Sequence, residues 1–417
     1  MKKKFLVRGP VLSQSGYGEQ ARFALRALRS RPDLYDVYIM PVNWGNTGWI
    51  NEDDEERKWI DSIIGKTQMM IKSNMAFDGS LQITIPNEFD VVAPVNIGYT
   101  AGIETTRVAP IWLEQSNRMN RLIVVSNHSK NVFEETIYNG THKKTNQPIT
   151  LSCEVPIDVV GYPVRKYESE ELDLNLEYDY NFLVVAQWGP RKNLGNTIKW
   201  FLDEFKDDEV GLVLKVNVAK NSSMDRDVSL VKLKENLKNY EDRKCKVYLL
   251  HGDMTDEEMT GLYNHPKIKS FISITHGEGY GLPIFEAAYN ALPIVTVPWS
   301  GQVDYLYAPI MDKKKRKKVI KPHFASVQYE LKPIPDNAIW PGVLEQGSRW
   351  CYANEMDYKN KIREMYKSHG KYQKLANNLK KHVEEVFSEE SVYAQFVDSM
   401  EKCFVQSQDE KVEVMVL

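Results

Sequence analysis

Ser273-Ile274-Thr275-His276-Gly277-Glu278-Gly279-Tyr280-Gly281-Leu282-Pro283-Ile284-Phe285-Glu286-Ala287-Ala288 is the stretch on which the fold turns. An apolar strand ends near Ile274, a glycine-rich turn follows, and Pro283 stands where a helix takes its first residue, a place where proline forfeits no hydrogen bond. Such a junction aims backbone N–H groups and the positive end of the helix dipole at whatever lies in front. A phosphate is the natural occupant. Gly277, Gly279 and Gly281 let the backbone approach closely, because a Cβ would stand in the way. Glu278 falls in the turn and Glu286 eight positions later, one turn into the helix. Carboxylates repel a phosphate unless they serve other groups, and an ionised Glu accepts hydrogen bonds from two adjacent hydroxyls at once. Phosphates with a sugar at either end describe a nucleotide sugar. The plainer alternative makes Glu278 a solvated turn residue and Glu286 a dipole partner.

Outward from this stretch, Phe5 to Val7 reads as a short apolar strand and Asp36 to Val42 as the next, and continuous apolar runs recur at Val91-Val92-Ala93, Leu122 to Val125, Phe182 to Val185, Val210 to Val218, Val247 to Leu250, Phe271 to Ile274 and Ile294 to Val297. Runs of this kind fit parallel strands buried on both faces. Helical patterns sit between most of them, as at Ala21, Ala24, Leu25 and Leu28, so the expected class is α/β with parallel sheets. Residues 166–179 are acidic and lack a strand pattern; they read as a linker between a domain at 1–165 and a second at 180–390. The tail is helical in character, and residues 391–417 are expected to return to the first domain.

The stretch Glu278-Gly279-Tyr280-Gly281-Leu282-Pro283 through Glu286-Ala287, continued by Leu292-Pro293-Ile294-Val295, resembles the retaining GT-B glycosyltransferases, whose signature is Glu, seven residues, Glu. The resemblance implies two facing Rossmann-like domains with parallel sheets, an acceptor-side first domain, a donor-binding second domain and a C-terminal helix crossing back to the first. It gives Glu278 to the transferred sugar and Glu286 to the nucleotide ribose, with Gly279, Tyr280, Gly281 and Leu282 lining the donor. Val184 to Leu194 looks like the family's strand and basic loop, whose cations neutralise the donor diphosphate. That role falls to Lys192 and Arg191, while Gln187 replaces the usual strand-end Arg. His251-Gly252-Asp253-Met254 resembles the turn that holds the nucleotide base, with Met254 beside the donor and Thr255 or Asp256 equally readable as a helix cap. Gly16-Tyr17-Gly18 looks like the family's N-terminal glycine loop, and the resemblance implies that these three residues face the donor phosphates. The third glycine of a dinucleotide fingerprint is missing, since Ala21 stands there, and Pro41-Val42-Asn43 offers no acid to read a ribose. Tyr99 to Arg107 and Ser126-Asn127 resemble a further family stretch, placing Glu104, Thr105 and His128 on the acceptor side. Glu104 also reads as a helix-start acid, and His128 and His276 as structural histidines.

Hydrophobic residues make up 42% and charged residues 27% of 417 positions, which excludes collagen-like, coiled-coil and wholly disordered chains. With 54 basic and 57 acidic residues the net charge is −3, so any nucleic-acid contact needs a local patch. One exists: Lys313, Lys314, Lys315, Arg316, Lys317 and Lys318 are six consecutive cations. Such a run is usually a solvated loop. The sharper alternative is a phosphate-backbone contact. The chain's general look also resembles phage glycosyltransferases that modify DNA, and that resemblance implies hydroxymethylated cytosine as the acceptor. A surface glycan or a small molecule is the alternative acceptor, and an epimerase or a non-catalytic binding protein on the same fold the alternative activity. Cys153, Cys245, Cys351 and Cys403 lack paired spacing, which argues against disulfides and a zinc site. No signal peptide or spanning run stands out, so the expectation is a cytoplasmic protein without membrane insertion. No Asp-x-Asp metal motif appears either. The expected activity is transfer of a hexose or pentose from a nucleoside-diphosphate sugar, UDP-linked by resemblance, without cofactor or essential metal.

Overall fold

A computed structural model describes residues 2–51, 53–141, 146–312 and 317–409. The chain divides into two compact units. Unit 1 comprises Met1–Pro163, Ile339–Gln346 and Glu389–Leu417, and unit 2 comprises Val164–Ala338 and Gly347–Ser388.

Unit 1 holds β1 (Lys3–Gly9), β2 (Tyr35–Pro41), β3 (Gly79–Ile83), β4 (Val95–Thr100), β5 (Arg121–Val124), the antiparallel pair β6 (Tyr138–Thr141) and β7 (Pro148–Leu151), and β8 (Ile157–Val159). Six of these form a parallel sheet in the order β2-β1-β3-β4-β5-β8. Phe5, Leu6 and Val7 of β1 are all buried, as a central strand covered on both faces requires. The helix Glu389–Asp409 completes this core: Phe396 lies edge-on to Phe23 at 5.3 Å and 5.1 Å from Tyr99. Ser399 and Lys402 of that helix both reach Asp158, at 2.6 and 3.1 Å.

Unit 2 holds β9 (Asn181–Gln187), β10 (Gly211–Asn217), β11 (Lys246–Leu250), β12 (Ile268–Ser273), β13 (Ile294–Thr296), the antiparallel pair β14 (Tyr307–Asp312) and β15 (Lys317–Pro322), then β16 (Ala325–Ser326) and the antiparallel pair β17 (Tyr329–Pro333) and β18 (Arg349–Ala353). Its parallel sheet runs β11-β10-β9-β12-β13-β16. Phe182, Phe201, Phe205 and Tyr358 anchor the core between sheet and helices.

In each sheet the chain winds outward on one side of a central strand and then resumes on the other. The reversal lies between β1 and β3 in unit 1 and between β9 and β12 in unit 2. Loops leaving the carboxyl ends of strands diverge at such a point and open a crevice where ligands bind in open α/β sheets.

One expected strand is displaced. Val91, Val92 and Ala93 are not in the sheet, and Val91 is 49% exposed. Asn96 Oδ1 accepts from the backbone N–H groups of Val92 and Ala93 and ties them into a turn, so the strand starts at Val95. Strand β3 also escaped the sequence reading, because Gly79-Ser80-Leu81-Gln82-Ile83 lacks an apolar run. Residues 166–179 contain no regular element and belong to unit 2. They lie against the helix Asp256–Asn264, where a Cβ on Gly261 would stand 2.0 Å from the carbonyl oxygen of Glu170.

Candidate functional site

The two loops flanking the β9–β12 reversal are knitted through backbone carbonyls. The carbonyl of Arg191 accepts from the His276 N–H at 2.8 Å and from Thr275 Oγ1 at 3.2 Å. Asn193, in the left-handed region at φ 54°, donates from Nδ2 to the carbonyl of Ile274 at 3.1 Å. On this frame Lys192 Nζ lies 2.5 Å from Glu278 Oε1, and Arg191 Nη1 lies 3.0 Å from Oε2 and 2.5 Å from the carbonyl of Gly277. Burial by itself would raise the Glu278 carboxyl. The two cations more than offset it and hold the group at about 2, so it stays ionised. Exposure is graded: the Glu278 side chain is 8% exposed, Lys192 18% and Arg191 26%. Two partly exposed cations thus stand beside a buried carboxylate at the N-terminal end of a helix, an arrangement suited to an anion.

The glycines shape that mouth. Gly281, at φ 88°, is the N-cap of the helix Leu282–Tyr289, and its carbonyl accepts from the N–H groups of Ile284 and Phe285 at 3.0 Å. Buried Tyr305 donates to the carbonyls of Tyr280 and Gly281, at 3.0 and 2.8 Å. Ser300 Oγ accepts from the Glu278 N–H at 2.9 Å, and the Gly301 N–H returns to the Glu278 carbonyl at 2.9 Å. A Cβ on Gly301 would lie 2.0 Å from the carbonyl oxygen of Gly279. Ser300, Gly301 and Tyr305 therefore set the loop from behind. A sequence reading centred on the loop itself does not find them.

Glu286 accepts from the phenol of buried Tyr263 at 2.7 Å, a contact that fixes one carboxylate oxygen. His276 is a structural residue: Nδ1 donates to the carbonyl of Cys351 at 2.6 Å, the Cys351 N–H returns to the His276 carbonyl, and the ring stacks on Trp350 at 5.4 Å and lies 4.4 Å from Tyr352. Burial lowers its basicity, keeping the imidazole neutral. Gln187 turns away from this network and donates to the carbonyl of Val218 at 2.9 Å. Met254, half-buried, follows a turn held by residues absent from the sequence reading. Lys215 donates to the carbonyl of Gly252, and Asp225 receives the N–H groups of Val218, Ala219 and Asn221 and lies 3.3 Å from His251 Nε2. Thr255 caps the following helix in a capping box with Glu258.

In unit 1, Ser15 caps the helix Gly16–Arg29 by accepting from the Gly18 N–H at 3.0 Å. A Cβ on Gly18 would come within 1.9 Å of the Ser13 carbonyl oxygen, which accounts for that glycine. Tyr17 shares a hydrogen bond with Thr100 at 2.8 Å, lies 4.2 Å from Trp44, and is held protonated by burial. Glu104 precedes the helix Pro110–Ser116 by six positions, so it is not a helix-start acid. Thr105 is buried and donates to the carbonyl of Arg107 at 2.9 Å. The ring of His128 hydrogen-bonds to the backbone of Thr105 and Ile103, and burial pulls its pKa down to about 4. Thr105 and His128 thus share one network, while Gly16, Tyr17 and Gly18, expected as a loop, form the first turn of the helix that follows β1. Lys313, Lys314, Lys315 and Arg316 lie outside the described residues; Lys317 and Lys318 open β15 and are exposed.

No family model matches the chain, and no curated protein matches it. Solved structures do. Sucrose-phosphate synthase from Thermosynechococcus elongatus superposes with a TM-score of 0.63 at 12% identity, over 97% of this chain and 100% of that one. A glycosyltransferase from Rickettsia africae gives 0.57 at 12% identity, over 97% and 99%. HepE of Anabaena, in complex with UDP and glucose, gives 0.55 at 12% identity, over 96% and 100%. These likenesses, with the two six-stranded parallel sheets and the C-terminal helix in unit 1, give the chain the GT-B fold.

Proposed function

We propose that this chain is a retaining glycosyltransferase that moves a sugar from a nucleoside-diphosphate sugar, UDP-linked in the first instance, to an acceptor hydroxyl. The observation that carries the reading is the grip of Lys192 and Arg191 on Glu278 at the mouth of the helix Leu282–Tyr289. A diphosphate entering there meets two partly exposed cations already fixed by a buried carboxylate, so little reorganisation is needed as negative charge builds on the leaving group. Preorganised stabilisation of this kind is worth about 3 kcal/mol, or roughly a hundredfold in rate. Glu278 orients both cations and faces the transferred sugar, and Glu286, steadied by Tyr263, takes the ribose hydroxyls. The acceptor hydroxyl attacks from the face the diphosphate leaves, and the anomeric configuration is kept. That HepE was crystallised with UDP and glucose supports the choice of donor. In unit 1, Gly16, Tyr17 and Gly18 are proposed to serve the donor, and Glu104 with the Thr105–His128 network the acceptor. Nothing among the described residues favours DNA as that acceptor.

The test is a panel of nucleotide sugars with glycan, small-molecule and hydroxymethylated-DNA acceptors, products read by mass spectrometry and anomeric configuration by NMR. Transfer with retention from one donor is expected. Isomerised donor without transfer, or binding without donor consumption, would replace the reading with an epimerase or a binding protein.

A further inference from the structure

Strands β14 and β15 form a two-stranded ribbon separate from the main sheet of unit 2. Its base is anchored: Tyr307 lies edge-on to buried Phe324 at 5.7 Å, and Asn378 donates to the carbonyl of Pro309 at 3.2 Å. Farther out the ribbon lacks cover. Directly opposed residues share a face of an antiparallel pair, so Met311 with Lys318 and Pro309 with Ile320 lie on one side. Met311 is 56% and Ile320 65% exposed, and Ile310, on the other face, is 37% exposed. Lys318 is exposed on the face of Met311 and Ile320, and Lys317 and Lys321 are exposed on the face of Ile310. In sequence the strands are joined by four more cations, residues 313–316, within a chain of net charge −3.

Lysines alone at a ribbon tip are an ordinary solvated loop. Large apolar side chains on the same strands are not, because each leaves hydrocarbon in water. A ribbon that carries exposed cations and exposed apolar side chains on both faces matches a surface that offers acidic headgroups above an apolar layer, and each lysine adds attraction to such a surface. A nucleic-acid backbone would answer the lysines and leave Met311 and Ile320 without a partner.

We infer that the β14–β15 ribbon docks the protein on an anionic lipid surface, Met311 and Ile320 entering the headgroup boundary and Lys317, Lys318 and Lys321 holding the acidic headgroups. This is peripheral attachment: among the described residues no helix is long and apolar enough to cross a membrane. The inference does not depend on the enzymatic reading.

The experiment is co-sedimentation of the full chain with phosphatidylcholine vesicles, with and without phosphatidylglycerol, across a salt series. Binding to the anionic vesicles should exceed binding to neutral ones by about tenfold or more, since one lysine near the surface is worth about fivefold. Lys317→Glu with Lys318→Glu should lower it by about twenty-fivefold or more. Met311→Ser with Ile320→Ser should also weaken it several-fold while leaving the salt dependence in place. These positions are exposed, so thermal melts should match the parent. Absence of vesicle binding would overturn the inference, as would binding indifferent to the Met311→Ser/Ile320→Ser pair. Tight binding to duplex DNA that ignores the apolar substitutions, with no preference for vesicles, would assign the ribbon to nucleic acid.

Discussion

Replacing Lys192 by Met keeps most of the side-chain volume and removes the charge. In the parent, Glu278 is held at about 2 against an ordinary 4.5, through contacts of 2.5 Å from Lys192 and 3.0 Å from Arg191. A shift of this size corresponds to about 3 kcal/mol. Lys192 makes the shorter contact and should carry about half or more, roughly 1.5–2 kcal/mol of stability at neutral pH. The sign follows from a folded pKa below the unfolded one: the contribution is complete above about pH 4.5 and is lost as pH falls toward 2. Denaturant unfolding at pH 7 and pH 3 should therefore show Lys192→Met less stable at pH 7, with the gap to the parent narrowing in acid. A double-mutant cycle with Glu278→Gln should return a coupling near 2 kcal/mol. Turnover should fall about a hundredfold in parallel, because the same ammonium is proposed to stabilise the departing diphosphate. A coupling near zero together with near-parental turnover would refute the reasoning.

Other expectations follow from single contacts. Tyr263→Phe removes the donor at 2.7 Å from Glu286 and should cost about 1 kcal/mol of stability, with UDP affinity falling several-fold by calorimetry. Gly301→Ala puts a Cβ 2.0 Å from the Gly279 carbonyl; the loop must move, and activity should drop at least as far as stability in paired kinetic and unfolding assays. Phe396→Ala empties a fully buried aromatic site between Phe23 and Tyr99 and should destabilise the protein by about 3–5 kcal/mol in chemical denaturation. His128 is buried neutral with a folded pKa near 4, so stability is lost as pH falls from 6.5 toward 4; His128→Gln should flatten that limb of a pH–stability profile.

Much of unit 2 was legible because its strands are buried on both faces and read as unbroken apolar runs, β9 and β10 most plainly. The glycine loop was legible for the same steric reason that fixes it: at Gly281 the backbone takes a conformation other residues resist. The reading failed where burial comes without an apolar run. Strand β3 mixes Ser80 and Gln82 into the core, where Ser80 bonds Asn96 and Gln82 bonds the backbone of Asp90. The Val91–Val92 pair looked like a strand and is a turn, because the deciding group is the Asn96 side chain downstream. The supports of the site, Ser300, Gly301, Tyr305 and Tyr263, act on backbone N–H and carbonyl groups or from a distant helix, and no local spacing marks them. The pairing of Lys192 and Arg191 with Glu278 joins groups 86 and 87 positions apart, and only the meeting of two loops at the sheet reversal brings them together.

The most direct measurement is calorimetric titration of the full chain with UDP at neutral pH, beside Lys192→Met and Arg191→Met. The account predicts one site per chain in the parent and at least tenfold weaker binding in each variant, since each removes a charge-assisted contact to the diphosphate. Equal affinity in all three proteins, or no binding of any nucleoside diphosphate by the parent, would contradict it.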